Sequence, residues 1–134
     1  MLSLEQRQLA SELVKRFSFK PQTAVAYIRE KGRCDYCGVD LVSSHAAYYA
    51  GMIDHLLPQA KYPQFTEDED NYVLACAACN SVKKVWDPLG AGEDPVDMLK
   101  NHRDKLVERV RREFESKWDE NEKIRRGVEK IISR

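Results

Sequence analysis

The pattern Cys34-x-x-Cys37, answered by Cys76-x-x-Cys79, constrains this chain more than any other feature of it. Two residues between cysteines let both thiolates turn onto one ion, and two such pairs complete a tetrahedral four-cysteine site. Such a site is closed, with no coordination position left for water or substrate, so its expected role is structural and its expected ion is Zn2+. The alternative is two pairs of unmetallated core or redox thiols. Compartment favours the metal. The start Met1-Leu2-Ser3-Leu4 lacks the basic-then-apolar layout of a secretion signal. With 33% of residues charged, no apolar run approaches the roughly 18 residues that a membrane span needs. A cytoplasmic, reducing setting is therefore expected, where matched cysteine pairs serve metals more often than disulfides.

The pairs divide the chain into parts. Residues 1–33 read as a helical N-terminal arm. Ser3 with Gln6 forms a capping box, and Leu9, Leu13, Val14 and Phe17 follow at helical spacing. Pro21 then opens a second helix with Ala24, Val25 and Ile28 on its apolar face, stopped by Gly32. Residues 34–90 form the expected core: a knuckle at Cys34–Gly38, a short strand within 46–54, a loop over 58–71 and a second strand at Tyr72-Val73-Leu74. A helix from Cys76 to Trp86 closes it. In residues 91–134, Asp94 caps and Pro95 opens one long amphipathic helix. Its stripe is Val96, Leu99, Leu106, Val110, Phe114 and Trp118, extended by Ile124, Val128, Ile131 and Ile132, with Gly127 a point of bending or fraying. That stripe can bury on the same domain or on a partner chain, including a second copy. The whole reads as one small α+β domain.

The net charge is zero but unevenly spread: +4 over residues 1–33, −7 over 34–94 and +3 over 95–134. An acidic middle suits cation binding and basic flanks suit a polyanion gripped from both sides. Ordinary solvated helix surface explains the same asymmetry, and on charge alone is the better explanation.

The segment between the cysteines carries the chemistry. Asp54-His55-Leu56-Leu57-Pro58, then Asn71-Tyr72-Val73-Leu74-Ala75-Cys76, then Cys79-Asn80-Ser81-Val82-Lys83-Lys84 stand in that order. Over residues 34–86 this resembles the HNH family, also called His-Me finger or ββα-metal endonucleases. The resemblance implies a zinc-stapled ββα-metal core and phosphodiester hydrolysis in DNA, leaving a 5′-phosphate and a 3′-hydroxyl. It implies His55 as general base and Asp54 as a ligand of the catalytic cation. It further implies Asn71 as the residue that braces the loop and orients the histidine, and Asn80 as the second protein ligand of that cation. Asn80 stands where many relatives carry His, a departure from a literal H-N-H.

Elementary chemistry favours the same residue types. Unperturbed imidazole titrates near pH ~6.5, so a neutral ring is available to take a proton from water. One carboxylate and one amide oxygen make a sparse, hard site that suits Mg2+ or Mn2+. For His55 the alternative is a buried, hydrogen-bonded histidine, and for Asn71 a polar turn residue. Lys83 and Lys84 reach either phosphates or solvent. Lys61 is a weaker phosphate contact, and His45 and His102 read as surface groups. Tyr48, Tyr49 and Tyr62 read as packing residues. A catalytically silent zinc module that binds nucleic acid or protein is the rival reading. If the chain cuts DNA, one catalytic unit nicks one strand, and two units joined through the last helix would cut both.

Overall fold

The computed structural model describes residues 2–134, the side chain of Ser116 apart. Its first pair of helices is what the capping signals predict. Helix α1 (Leu4–Phe17) begins on a complete capping box between Ser3 and Gln6 and ends on Ser18 in the left-handed region. Helix α2 (Pro21–Arg29) starts on its proline. The two pack through Ala10, Ala24 and Val25, with Leu13, Val14 and Ile28 around them.

Gly32, at φ +74°, turns the chain out of α2 into the first cysteine knuckle. A Cβ there would approach the Val42 side chain to 3.0 Å, so the turn needs glycine for both its conformation and its space. The expected strand then arrives late. Ser44 caps a short helix α3 (His45–Tyr49) by accepting from the Ala47 amide, and strand β1 (Gly51–His55) follows. Two alanines behind a serine cap outweigh the β tendency of the tyrosines over these residues. Strand β2 (Tyr72–Cys76) pairs antiparallel with β1, setting Gly51 opposite Cys76, Asp54 opposite Val73 and His55 opposite Tyr72. Every residue of β2 is buried. Helix α4 (Ala77–Lys83) leaves directly from Cys76, which completes the ββα order.

The long C-terminal helix is broken where no breaker stands. Helix α5 (Pro95–Asn101) is capped by Asp94, and α6 (Arg103–Ile132) begins after His102, whose backbone (φ −135°, ψ 31°) leaves the helical region. The bend places Arg103 to donate to the backbone oxygens of Asp70 (2.8 Å) and Tyr72 (3.0 Å) and to the buried Asp35 carboxylate (3.1 Å). His102 is half-buried at this joint, not free on a helix face. Gly127, by contrast, lies within an unbroken α6.

One core unites the knuckles, both strands and the first half of α6, through Leu56, Leu57, Leu74, Leu99, Leu106, Val110 and Phe114. Trp118 is the last residue of the stripe to pack against it, and Ile124, Val128, Ile131 and Ile132 are exposed. The charge asymmetry resolves in part into ion pairs between flanks and middle: Arg7 with Glu69, Lys20 with Glu67, Lys100 with Asp68 and Asp70, Arg109 with Glu93. None of the helices described is long and apolar enough to cross a membrane.

Candidate active site

Each cysteine pair folds as the same knuckle. The Cys37 amide points at the Cys34 sulfur (3.5 Å), and the Cys79 amide points at the Cys76 sulfur (3.4 Å). Pairing Gly51 with Cys76 in the sheet, and bonding the Asp35 amide to the Leu74 carbonyl at 2.8 Å, brings the knuckles together. All four sulfurs lie within 4.8 Å of one another. Cys37 and Cys76 are 3.7 Å apart, against the ~3.8 Å edge of a tetrahedron with Zn–S bonds of ~2.3 Å. Hydrogen bonds with Cys37, Cys76 and Cys79 pull the Cys34 thiol far below its ordinary value, whereas those with Cys34, Cys37 and Cys76 drive Cys79 far above. Four thiols so close cannot all ionise alone. A cation among them removes that conflict, so the donor set, its spacing and its burial fit a structural Zn2+ held by Cys34, Cys37, Cys76 and Cys79.

At the other end of β1 a cleft of about 530 Å³ opens, lined by Asp54, His55, Pro58, Gln59, Lys84 and Val85 among others. The histidine is fixed from both sides of its ring. Its Nε2 lies 2.9 Å from the Thr66 carbonyl. A carbonyl only accepts, so Nε2 carries the proton and the lone pair of the neutral ring lies on Nδ1. That lone pair accepts from the Gln59 side-chain amide at 2.8 Å. The ring stands edge-on to Tyr72, centroids 5.1 Å apart.

Asn71 holds the loop that carries Thr66. Fully buried just before β2, it accepts from the Leu57 amide (2.7 Å) and donates to the Leu57 and Phe65 carbonyls (3.0 and 3.3 Å). Its side chain thus ties together both ends of the segment 57–65, one residue short of the carbonyl that anchors His55. It does not touch the imidazole itself.

Asp54 lies beside His55 with its side chain only 11% exposed. Tyr36 donates to its Oδ2 at 2.8 Å, and the Lys83 ammonium lies 3.5 Å from the same oxygen. Burial is the main influence on both charges: it raises Asp54 above its ordinary value and lowers Lys83, while each opposes the other's shift. Among the described residues no side chain donates to Oδ1. The His55 backbone amide also holds the carboxylate, and a carboxylate at a cleft with no side-chain donor on one oxygen fits a hard divalent cation.

Lys83 departs from the sequence reading. It is 1% exposed, and its ammonium donates to the His55 carbonyl at 3.0 Å, inside the protein. It cannot reach a phosphate from there; a reading by helix turns missed this because α4 lays that face on β1. Lys84 leaves the helix at φ 46° and lines the cleft. Lys61 pairs with Asp87 at 2.8 Å. Asn80 is not among the residues lining the cleft. Its amide lies 3.6 Å from the Met52 sulfur, and Met52 shares a face of β1 with Asp54 two residues on. Tyr36, Gln59 and Thr66 were not visible from sequence. Tyr36 stood inside the first knuckle, but nothing in a one-dimensional pattern aims it at residue 54.

A two-stranded hairpin and a helix closed on four cysteines, with Asp-His at the end of the first strand, define a metal-stapled ββα unit. Residues 34–85 match the family model of the HNH endonucleases. Neither a curated protein nor a solved structure gives a significant match to the chain.

Proposed function

We propose that the chain is a metal-dependent DNA endonuclease in which His55 is the general base. The observation that carries the reading is the state of His55: Nε2–H is anchored on Thr66, which leaves a basic Nδ1, in a cleft that Asp54 also lines and within the segment that matches the HNH family model. Asp54, with Asn80 as second ligand, would hold Mg2+ or Mn2+, which when bound offsets charge on the scissile phosphate. Nδ1 takes the proton of a water that enters where the Gln59 amide rests. The water oxygen bonds to phosphorus, the bond to the 3′-oxygen breaks, and that oxygen gains a proton from solvent. The products are a 5′-phosphate and a 3′-hydroxyl. Asn71 keeps the loop, and so the imidazole, in place. Lys84 is the lysine suited to a phosphate contact at the cleft. Cys34, Cys37, Cys76 and Cys79 would hold the structural Zn2+ with no position left for water or substrate, apart from the chemistry.

One such centre nicks one strand. Pairing of two chains through the exposed stripe Ile124, Val128 and Ile131 of α6 would set two centres on one duplex. The deciding experiment is relaxation of supercoiled plasmid by the zinc-loaded protein with Mg2+ or Mn2+, beside folded His55→Ala. Removal of a general base lowers the rate roughly 10²–10⁴-fold. Equal rates in the two proteins would remove His55 from the mechanism. No cleavage with either cation would favour a silent zinc module.

A further inference from the structure

The cleft shows how Asp54 is held as well as that it is there. Its two side-chain partners come from different elements and converge on one oxygen. Tyr36 belongs to the first cysteine knuckle, is 2% exposed, and packs edge-on against Phe114 with centroids 5.5 Å apart. Its backbone carbonyl accepts from the Arg111 Nε at 3.0 Å, so α6 fixes the residue from behind. Lys83 comes from α4 and spans two groups with one ammonium, the His55 carbonyl at 3.0 Å and Asp54 Oδ2 at 3.5 Å. A buried ammonium beside a proposed cation site is costly, and like charges repel. Its placement on the oxygen that Tyr36 also holds leaves Oδ1 with no side-chain donor among the described residues.

We propose that Tyr36 and Lys83 are positioning residues which clamp Asp54 by Oδ2, so that Oδ1 alone is presented to the cation. The structural metal knuckle thereby reaches the cleft through the Tyr36 hydroxyl, and the end of β1 that carries His55 is pinned by the same lysine. The inference rests on the assignment of the cation to Asp54 proposed above.

The test is Tyr36→Phe, which keeps the ring packing and removes only the hydroxyl. Mn2+ binding is followed by its electron paramagnetic resonance signal, with an uncleavable phosphorothioate duplex present, alongside the Mn2+ dependence of plasmid cleavage. Loss of one hydrogen bond to a charged group is expected to raise the half-saturating Mn2+ about three- to tenfold, with kcat at saturating Mn2+ and zinc content little changed. Lys83→Met is expected to weaken Mn2+ binding too, although it removes a repelling charge. Tighter binding in that variant would show the lysine to act only as a charge and would overturn its part. If Lys83→Met fails to fold, Tyr36→Phe carries the test. A wild-type chain that binds Mn2+ and cleaves, beside a Tyr36→Phe chain that binds it equally well or better, overturns the clamp alone. A wild-type chain that does neither overturns the proposed function and the clamp with it.

Discussion

Asn71→Ala is the sharpest test of how the loop is held. The side chain makes three hydrogen bonds, all to backbone groups of the segment 57–65, from a position with no exposure to solvent. Alanine fills none of these roles, and it leaves the Leu57 amide and carbonyl in the core without partners. An unsatisfied buried polar group costs ~1–3 kcal/mol. Counting those two in full and the longer bond to Phe65 at a fraction gives a loss of ~3–4 kcal/mol. For a chain of this length the unfolding entropy converts that into a fall in melting temperature of ~10–15 °C. The assay is urea unfolding at saturating zinc, followed by circular dichroism, with wild type and Asn71→Asp beside it. Aspartate keeps the acceptor for the Leu57 amide but sets a carboxylate against two carbonyls, so it is expected to be no more stable than alanine. Plasmid cleavage by Asn71→Ala, at a temperature where it stays folded, is expected to fall because the Thr66 carbonyl no longer fixes the imidazole. A loss of stability below ~1 kcal/mol would refute the argument that these bonds hold the loop.

Cys76→Ser should abolish stoichiometric zinc and destabilise the core, since a closed thiolate site couples metal binding to folding; elemental analysis and melting with and without chelator check both, and a zinc-free protein that melts like wild type refutes it. Glu30→Gln tests a half-buried carboxyl. Burial, with Asp35 beside it, pushes Glu30 up to about 7 from an ordinary value of 4.5. The folded state therefore keeps a proton that the unfolded chain releases first, and the associated stability is full below pH 4.5 and lost as pH rises through 7. The glutamine variant should be more stable than wild type at pH 8, on the order of 1–2 kcal/mol after allowance for partial exposure, and nearly equal at pH 4.5. Equal stabilities at both values would remove the carboxyl from the account. Deleting residues 121–134 should move the melting temperature of a dilute sample by less than ~3 °C, since Trp118 is the last stripe residue on the core. A large fall would mean that the exposed stripe is covered in solution.

The sequence by itself determined the parts whose cause is local. The capping box at Ser3, Pro21 and Pro95 at first helical positions, and the cysteine spacing act within a few residues, and each appears where it was expected. Asp54, His55 and Asn71 were singled out by their order around the two knuckles, and the fold sets Asp54 and His55 on one cleft with Asn71 bonded to the loop beside it. What tertiary structure decided are matters of direction and competition. Whether Lys83 faces solvent or Asp54 depends on which face of α4 meets β1. Ser44 and two alanines turned part of an expected strand into α3. The C-terminal helix breaks at His102 although its sequence carries no breaker, because Arg103 satisfies two backbone carbonyls and a buried carboxylate by turning there. Those three partners are brought together only by the folded chain. A periodicity records which residues prefer burial, and says nothing of the buried polar groups elsewhere that a side chain must turn to satisfy.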